Sequence, residues 1–193
     1  MNINTLLEHY RSGERNFCFA CLQEANLRQV NLTGASLLGA NLTGADLSLS
    51  ILQQVNLTGA MLWRANLARA SLVKTNFTQT LLIRGNLEQV DLSGALLTQT
   101  DLRLANLRYA CLKGANLASA SLCYADLTGV NLTGANLCNA NFTGAILAGA
   151  NLSNAILTGA ILKQVDLEQA ILQGTDLSRA KFIQTIGPSS ESG

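Results

Sequence analysis

From Phe17 to Phe182 every fifth residue is Leu or Phe, 34 positions in succession without a slip. Thirty of them are Leu, and the exceptions are Phe17, Phe77, Phe142 and Phe182. Two places before each, from Ala20 to Ala180, the side chain is small: 22 of these 33 positions are Ala, five are Val, four are Thr, and Ser50 and Gly85 complete the series. A period of five suits neither regular element. On an α-helix each such step turns the side chain by about 500°, so the Leu residues would wind around the surface. On a flat strand alternate ones would point to opposite faces. The backbone must therefore bend once per repeat, so that the same residue aims inward each time. The small residue then fits beside the bend, where a large one would not. Four such pieces at right angles close a coil of about 20 residues, and stacked coils pair as parallel strands about 4.8 Å apart, a rod on the order of 40 Å long. Each buried Leu contributes roughly 1.5–3 kcal/mol, and each coil touches only its neighbours.

The residue just before the large one is usually Asn or Asp, as in Ala-Asn-Leu-Thr-Gly at 40–44 and Val-Asn-Leu-Thr-Gly at 130–134. With this third feature the run resembles the pentapeptide-repeat family, whose pattern is A(D/N)LXX. The resemblance implies an all-β solenoid, the right-handed quadrilateral β-helix (Rfr fold), here of about eight coils. Proteins of this kind are abundant in cyanobacteria, most without an assigned activity. The approach to the repeat through Gly13-Glu14-Arg15-Asn16-Phe17 is similar to cytoplasmic members there. Other members mimic a B-DNA rod, bind DNA gyrase and protect it from quinolones. Those are strongly acidic and dimerise end to end through a C-terminal module. A net charge of +1 and the absence of an inserted loop set this chain apart from them. DNA mimicry is the alternative to a protein-binding or regulatory scaffold.

Residues 1–14 stand outside the repeat. Thr5 with Glu8 three places on has the form of a capping box, and Leu6, Leu7 and Tyr10 share one helical face. The sequence predicts a short helix from Thr5 to Ser12, stopped at Gly13, as a cap that shields Phe17, Leu22, Leu27 and Leu32. His9, the only histidine, is expected to face solvent on it. The repeat is assigned to 15–185, and 186–193 reads as a flexible tail. Ile183 and Ile186 are placed to fold back over the last coil. Without them Leu167, Leu172, Leu177 and Phe182 form an apolar end where two rods could meet. The chain is expected to be a monomer or a weak end-to-end dimer through the C-terminal coil.

The near-neutral charge argues against nucleic acid as partner. No apolar run approaches the roughly 18 residues that span a bilayer, and no secretory signal opens the chain, so a cytoplasmic location is expected. The five cysteines make no disulfide framework. Cys18-Phe19-Ala20-Cys21 has neither the second pair nor the nearby His that zinc needs, nor the βαβ setting of a redox pair. No clustered titratable groups and no phosphate loop occur, so the chain reads as a non-enzyme with no catalytic, cofactor or metal residues.

Residues 20 apart should stack, which sorts the outward positions into columns on four faces. Face one follows Phe17, Leu37 and Leu57; face two follows Leu22, Leu42 and Leu62; faces three and four start at Leu27 and Leu32. Face one carries Thr58, Thr78, Thr98, Thr158 and Ser178 in one column, a polar ladder of good strand formers. Face four carries Gly34, Gly94, Gly114, Gly134 and Gly174 at the second place after Leu, where tight corners are expected. Face two differs in its middle. Met61 precedes Leu81 in one column, Trp63, Ile83 and Arg103 follow in the next, and Arg64, Arg84, Leu104 and Tyr124 in the third. Trp, Tyr and Arg are the types enriched at binding hot spots, and Arg64 or Arg84 could lie over the indole. Scattered surface apolars are the plain alternative. Seven of the 13 basic residues fall between Arg64 and Lys113, opposed only by Glu88, Asp91 and Asp101, a balance suited to an acidic protein surface. Ile146, Ile156, Ile161 and Ile171 fall on four different faces and make no single patch. The candidate partner-binding patch is therefore Met61, Trp63, Arg64, Leu81, Ile83, Arg84, Arg103, Leu104 and Tyr124, and the partner an unidentified protein, with neither nucleic acid nor membrane involved.

Overall fold

The computed structural model describes residues 2–182. The tail assigned to 186–193 and the fold-back of Ile183 and Ile186 lie outside the described residues.

The bend once per repeat is satisfied by a β-turn in nearly every pentapeptide. In residues 41–45 each backbone N–H has its own acceptor. Asn41 N donates to Ala20 O of the coil before, and Leu42 N to Met61 O and Gly44 N to Trp63 O of the coil after. Ala45 N closes the turn on Leu42 O at 3.0 Å. Thr43 N is left without a ladder partner, and the Asn41 side-chain oxygen takes it at 3.1 Å. This is the physical reason for Asn or Asp before the Leu: its carboxamide or carboxylate caps the one N–H per repeat that the ladders leave over. The second residue after the Leu sits at positive φ on all four faces, as the third residue of a type II turn must. Glycine there is thus not peculiar to face four. Nineteen non-glycine residues also hold the left-handed conformation, among them Arg64, Arg84, Leu104 and Tyr124.

Every parallel bridge joins residues 20 apart, from Asn16 to Ser36 through Ile161 to Lys181. We number the coils from residues 16–35 (coil one) onward in steps of 20. Each inward Leu or Phe from Phe17 to Leu167 is buried, so the large side chains fill one continuous axis. Where the small inward position is Thr, its hydroxyl donates to the turn carbonyl of the coil before: Thr75 to Leu52 O, Thr80 to Leu57 O and Thr100 to Phe77 O, each within 2.7 Å. These buried hydroxyls therefore carry no unpaired polar group.

Among the described residues the ladder loosens in two places. On face one Ile156 and Asp176 keep their bridge but lack the bonds Asp176 N to Ala155 O and Leu157 N to Asp176 O. On face three no bridge joins Ile146 of coil seven to Asp166 of coil eight. The bonds Asp166 N to Ala145 O, Leu147 N to Asp166 O and Gly149 N to Glu168 O are all missing, while Gly144 N to Lys163 O and Ile171 N to Ala150 O hold either side. A surface recess of about 330 Å³ opens there, lined by Ile146, Ala148, Gln164, Asp166 and Gln169 among others.

Helix α1 spans Ile3–Arg11, and Asn2, not Thr5, is its N-cap. The Asn2 side chain accepts from Asn4 N at 3.0 Å, which starts the helix two residues earlier than the Thr5–Glu8 pair suggested and leaves Thr5 inside it. Ser12 closes the helix, with its N–H on Glu8 O, and Gly13 turns the chain away at φ 100°. Leu6 is fully buried, Ile3, Leu7 and Tyr10 pack beside it, and the Tyr10 hydroxyl donates to Thr33 O at 2.9 Å. The cap buries Phe17, Leu22, Leu27 and Leu32, and His9 faces solvent. At the other end Leu172 and Leu177 are half-buried and Phe182 is exposed, but Leu167 is covered and does not belong to the open end.

Candidate partner-binding face

Face two is held flat by its ladder. Met61 pairs with Leu81, Leu81 with Asp101 and Asp101 with Ser121. The predicted residues thus stand side by side on coils three to six. Met61, Trp63, Leu81, Leu104 and Tyr124 are all exposed apolar groups, between 40% and 59% accessible, whereas Ile83 is half-buried among them. Exposure alone does not single the face out, because Phe19, Leu96 and Tyr109 are as open elsewhere. Contiguity does. Met61 and Leu81 are consecutive in the column that normally holds Asn, Asp or Ser, and no other face puts Leu, Ile or Met there on two successive coils.

That replacement has a chemical consequence. Without an Asn or Asp oxygen before the Leu, the N–H groups of Trp63 and Ile83 meet no acceptor among the described residues. The ladder carbonyls beside them each accept one bond, Met61 O from Leu42 N, Trp63 O from Gly44 N, Leu81 O from Leu62 N and Ile83 O from Arg64 N, whereas the corner carbonyls of Arg64 and Arg84 meet no donor among the described residues. The middle of face two therefore carries more unengaged donors than acceptors, once the Arg64 and Arg84 guanidinium groups are counted with the two N–H groups.

The arginines divide into two kinds. Arg103 is locked onto Asp101 of its own repeat by a forked pair of bonds, with Nη2 at 2.7 Å from the carboxylate, so its charge is neutralised in place. Arg64 lies over the Trp63 ring at 4.8 Å from the centroid, which orients the indole and leaves the guanidinium charge unpaired. Arg84 is exposed and has no ion pair among the described residues. The corner column ends on Tyr124, whose ring covers Gly144 of the next coil so closely that a Cβ there would collide with it. Tyr124 is therefore held by local packing. Sequence reasoning missed the Arg103–Asp101 lock and the Tyr124–Gly144 cover, although the two-residue spacing of one pair and the 20-residue spacing of the other were there to be read.

No group of three or more His, Cys, Asp or Glu side chains among the described residues is arranged to hold a metal ion, and no helix there is long and apolar enough to cross a membrane. None of the five cysteines forms a disulfide.

The family model for pentapeptide repeats matches residues 16–48, 50–89, 86–122, 120–159 and 160–186. The chain belongs to the pentapeptide-repeat family, and its solenoid is the right-handed quadrilateral β-helix of that family. Among solved structures it is similar to HetL, a pentapeptide-repeat protein involved in heterocyst differentiation regulation from the cyanobacterium Nostoc sp. strain PCC 7120, at 35% identity over 98% of both chains with a TM-score of 0.48. It is also similar to trypsin-treated QnrB1, a plasmid-mediated fluoroquinolone resistance protein, at 20% identity over 85% of this chain and 87% of that one, TM-score 0.53. Rfr23 from the cyanobacterium Cyanothece 51142 is 23% identical over 95% and 97% of the two chains, TM-score 0.29. A comparison with curated proteins gives no match.

Proposed function

We propose that this chain is a rigid scaffold that captures a protein partner on the middle of face two, and that it regulates by capture and not by catalysis. The observation that carries the reading is the Met61–Leu81 pair with Trp63 and Ile83 beside it: an apolar patch built at the cost of two backbone caps, where every other face keeps at least alternate polar groups. What sets Met61 and Leu81 apart from the single Ile and Leu residues in this slot on other faces is that they follow one another on successive coils and make a contiguous exposed apolar patch, the kind that marks an interaction surface. Trp63 and Arg64, pre-stacked, lose little freedom on docking. The surrounding closed ladders make the face a stiff platform whose shape does not change on binding.

The test is a pair of double variants. Trp63→Ala with Arg84→Ala leaves circular dichroism and the melting temperature nearly unchanged, because both side chains are outside the core, and abolishes capture of the partner by the purified protein. Gln53→Ala with Ser93→Ala, on face four, leaves capture intact. Equal capture by both double variants would make face two ordinary surface.

A further inference from the structure

We infer that the segment face two receives is an acidic amphipathic helix laid along the rod axis, its carboxylates on Arg84, Arg64 and the free N–H groups of Trp63 and Ile83. The inference rests on the face-two reading above and adds the chemistry of the occupant.

Three observations point the same way. The first is the positive, donor-rich character of the patch. Two backbone N–H groups have no acceptor among the described residues, the Arg64 and Arg84 guanidinium groups have no ion pair there, and the one carboxylate at hand, Asp101, is taken by Arg103. A partner has to bring acceptors, and with two unpaired positive charges present a carboxylate satisfies both demands at once.

The second is what the closed ladder forbids. Strand addition needs alternating donors and acceptors along an open edge. Here the carbonyls of Met61, Trp63, Leu81 and Ile83 are all engaged in the ladder and only the corner carbonyls of Arg64 and Arg84, one per coil, meet no donor among the described residues, so an extended segment would find no continuous edge to pair with. A helix satisfies its backbone internally and presents side chains alone.

The third is spacing. Apolar anchors repeat once per coil along the axis, Met61 above Leu81 and Trp63 above Ile83, with Leu104 and Tyr124 following in the corner column. Coil spacing is about 4.8 Å and helical pitch about 5.4 Å, so over the two intervals between coils three and five the mismatch is only about 1.2 Å. Successive turns of one helix can therefore set one apolar residue on each coil, with acidic residues flanking the stripe.

Trp63 is the sole tryptophan and reports the site directly. The probes are two capped synthetic helices of about 18 residues, long enough to hold helix in water, with the same leucine stripe and either Glu or Lys at the flanking positions. The Glu helix is expected to shield Trp63 from acrylamide quenching in a saturable manner, and binding should weaken roughly tenfold when salt rises from about 50 to about 500 mM. Arg84→Glu should abolish the shielding, whereas Lys113→Glu, the same charge change on face four, should not. Shielding by the Lys helix as strong as by the Glu helix, shielding that survives Arg84→Glu, or no shielding by either peptide would each overturn the inference. If the Trp63–Arg84 double variant loses its partner while the Glu helix fails to shield Trp63, face two keeps its role and the acidic helix does not.

Discussion

At the scale of single residues the corner position decides more than its exposure suggests. Gln54 holds φ 58° with no side-chain bond to reward it, and Gly134 holds φ 65° with open space where a Cβ would stand. An L-residue in this region costs roughly 1–2 kcal/mol, and Gly loses about 0.5–1 kcal/mol more entropy on folding than Ala. Gln54→Gly should therefore stabilise by roughly 0.5–1 kcal/mol and Gly134→Ala destabilise by about as much, read as opposite shifts of the urea midpoint. Asp46 offers a second residue-scale prediction. Burial pushes its carboxyl up, but bonds from the Ser48 side chain and N–H, the Arg28 charge and the Asn66 carboxamide together hold it below the ordinary carboxylate range. A depressed carboxyl contributes stability above its unfolded value of about 4 and loses it as pH falls through the lower folded value. Asp46→Asn keeps an oxygen for both Ser48 N and Asn66 but cannot titrate. Its melting temperature should fall less between pH about 7 and about 3 than that of the parent chain.

At the scale of elements, the coil was legible because one physical demand, a large side chain aimed inward at every repeat, leaves a five-residue signature that nothing else produces. The columns followed from it by counting, and the bridges 20 residues apart bear them out. Helix α1 was legible in its apolar face but not in its start, since Asn2 and Thr5 are both competent caps and only the packing of Ile3 and Leu6 on the first coil chooses between them. The role of the repeated Asn was out of reach until the hydrogen bonds showed which N–H the ladders leave over. The gap on face three has no sequence signal at all, because Val165-Asp166-Leu167 obeys the repeat as well as any other piece. It has a measurable consequence. With no acceptor from coil eight, the amides of Leu147 and Gly149 should exchange with deuterium at least roughly tenfold faster than those of Leu127 and Gly129, their counterparts one coil earlier, which donate to Ile146 O and Ala148 O. Equal protection at both pairs would mean that the ladder is continuous in solution.

At the scale of the whole molecule, a rod of closed ladders leaves function to whichever face departs from the pattern. The apolar columns of face two were visible in the sequence. What they offer chemically was not, because it depends on which carbonyls are consumed and which arginine is already paired. The basic middle shows the difference: Arg103 and Arg108 belong to Asp101 and Asp126, and the charge that remains available on face two is that of Arg64 and Arg84. A rigid platform with one donor-rich apolar face is suited to holding a partner in a fixed orientation, and to doing so from one side only. The most direct measurement of that one-sidedness is site-specific photocrosslinking in cells, with benzoylphenylalanine in place of Ile83 on face two or of Ser93 on face four. A discrete adduct from position 83 and none from position 93 is the expected result; adducts of the same mass and yield from both positions, or from position 93 alone, would contradict a docking site on face two.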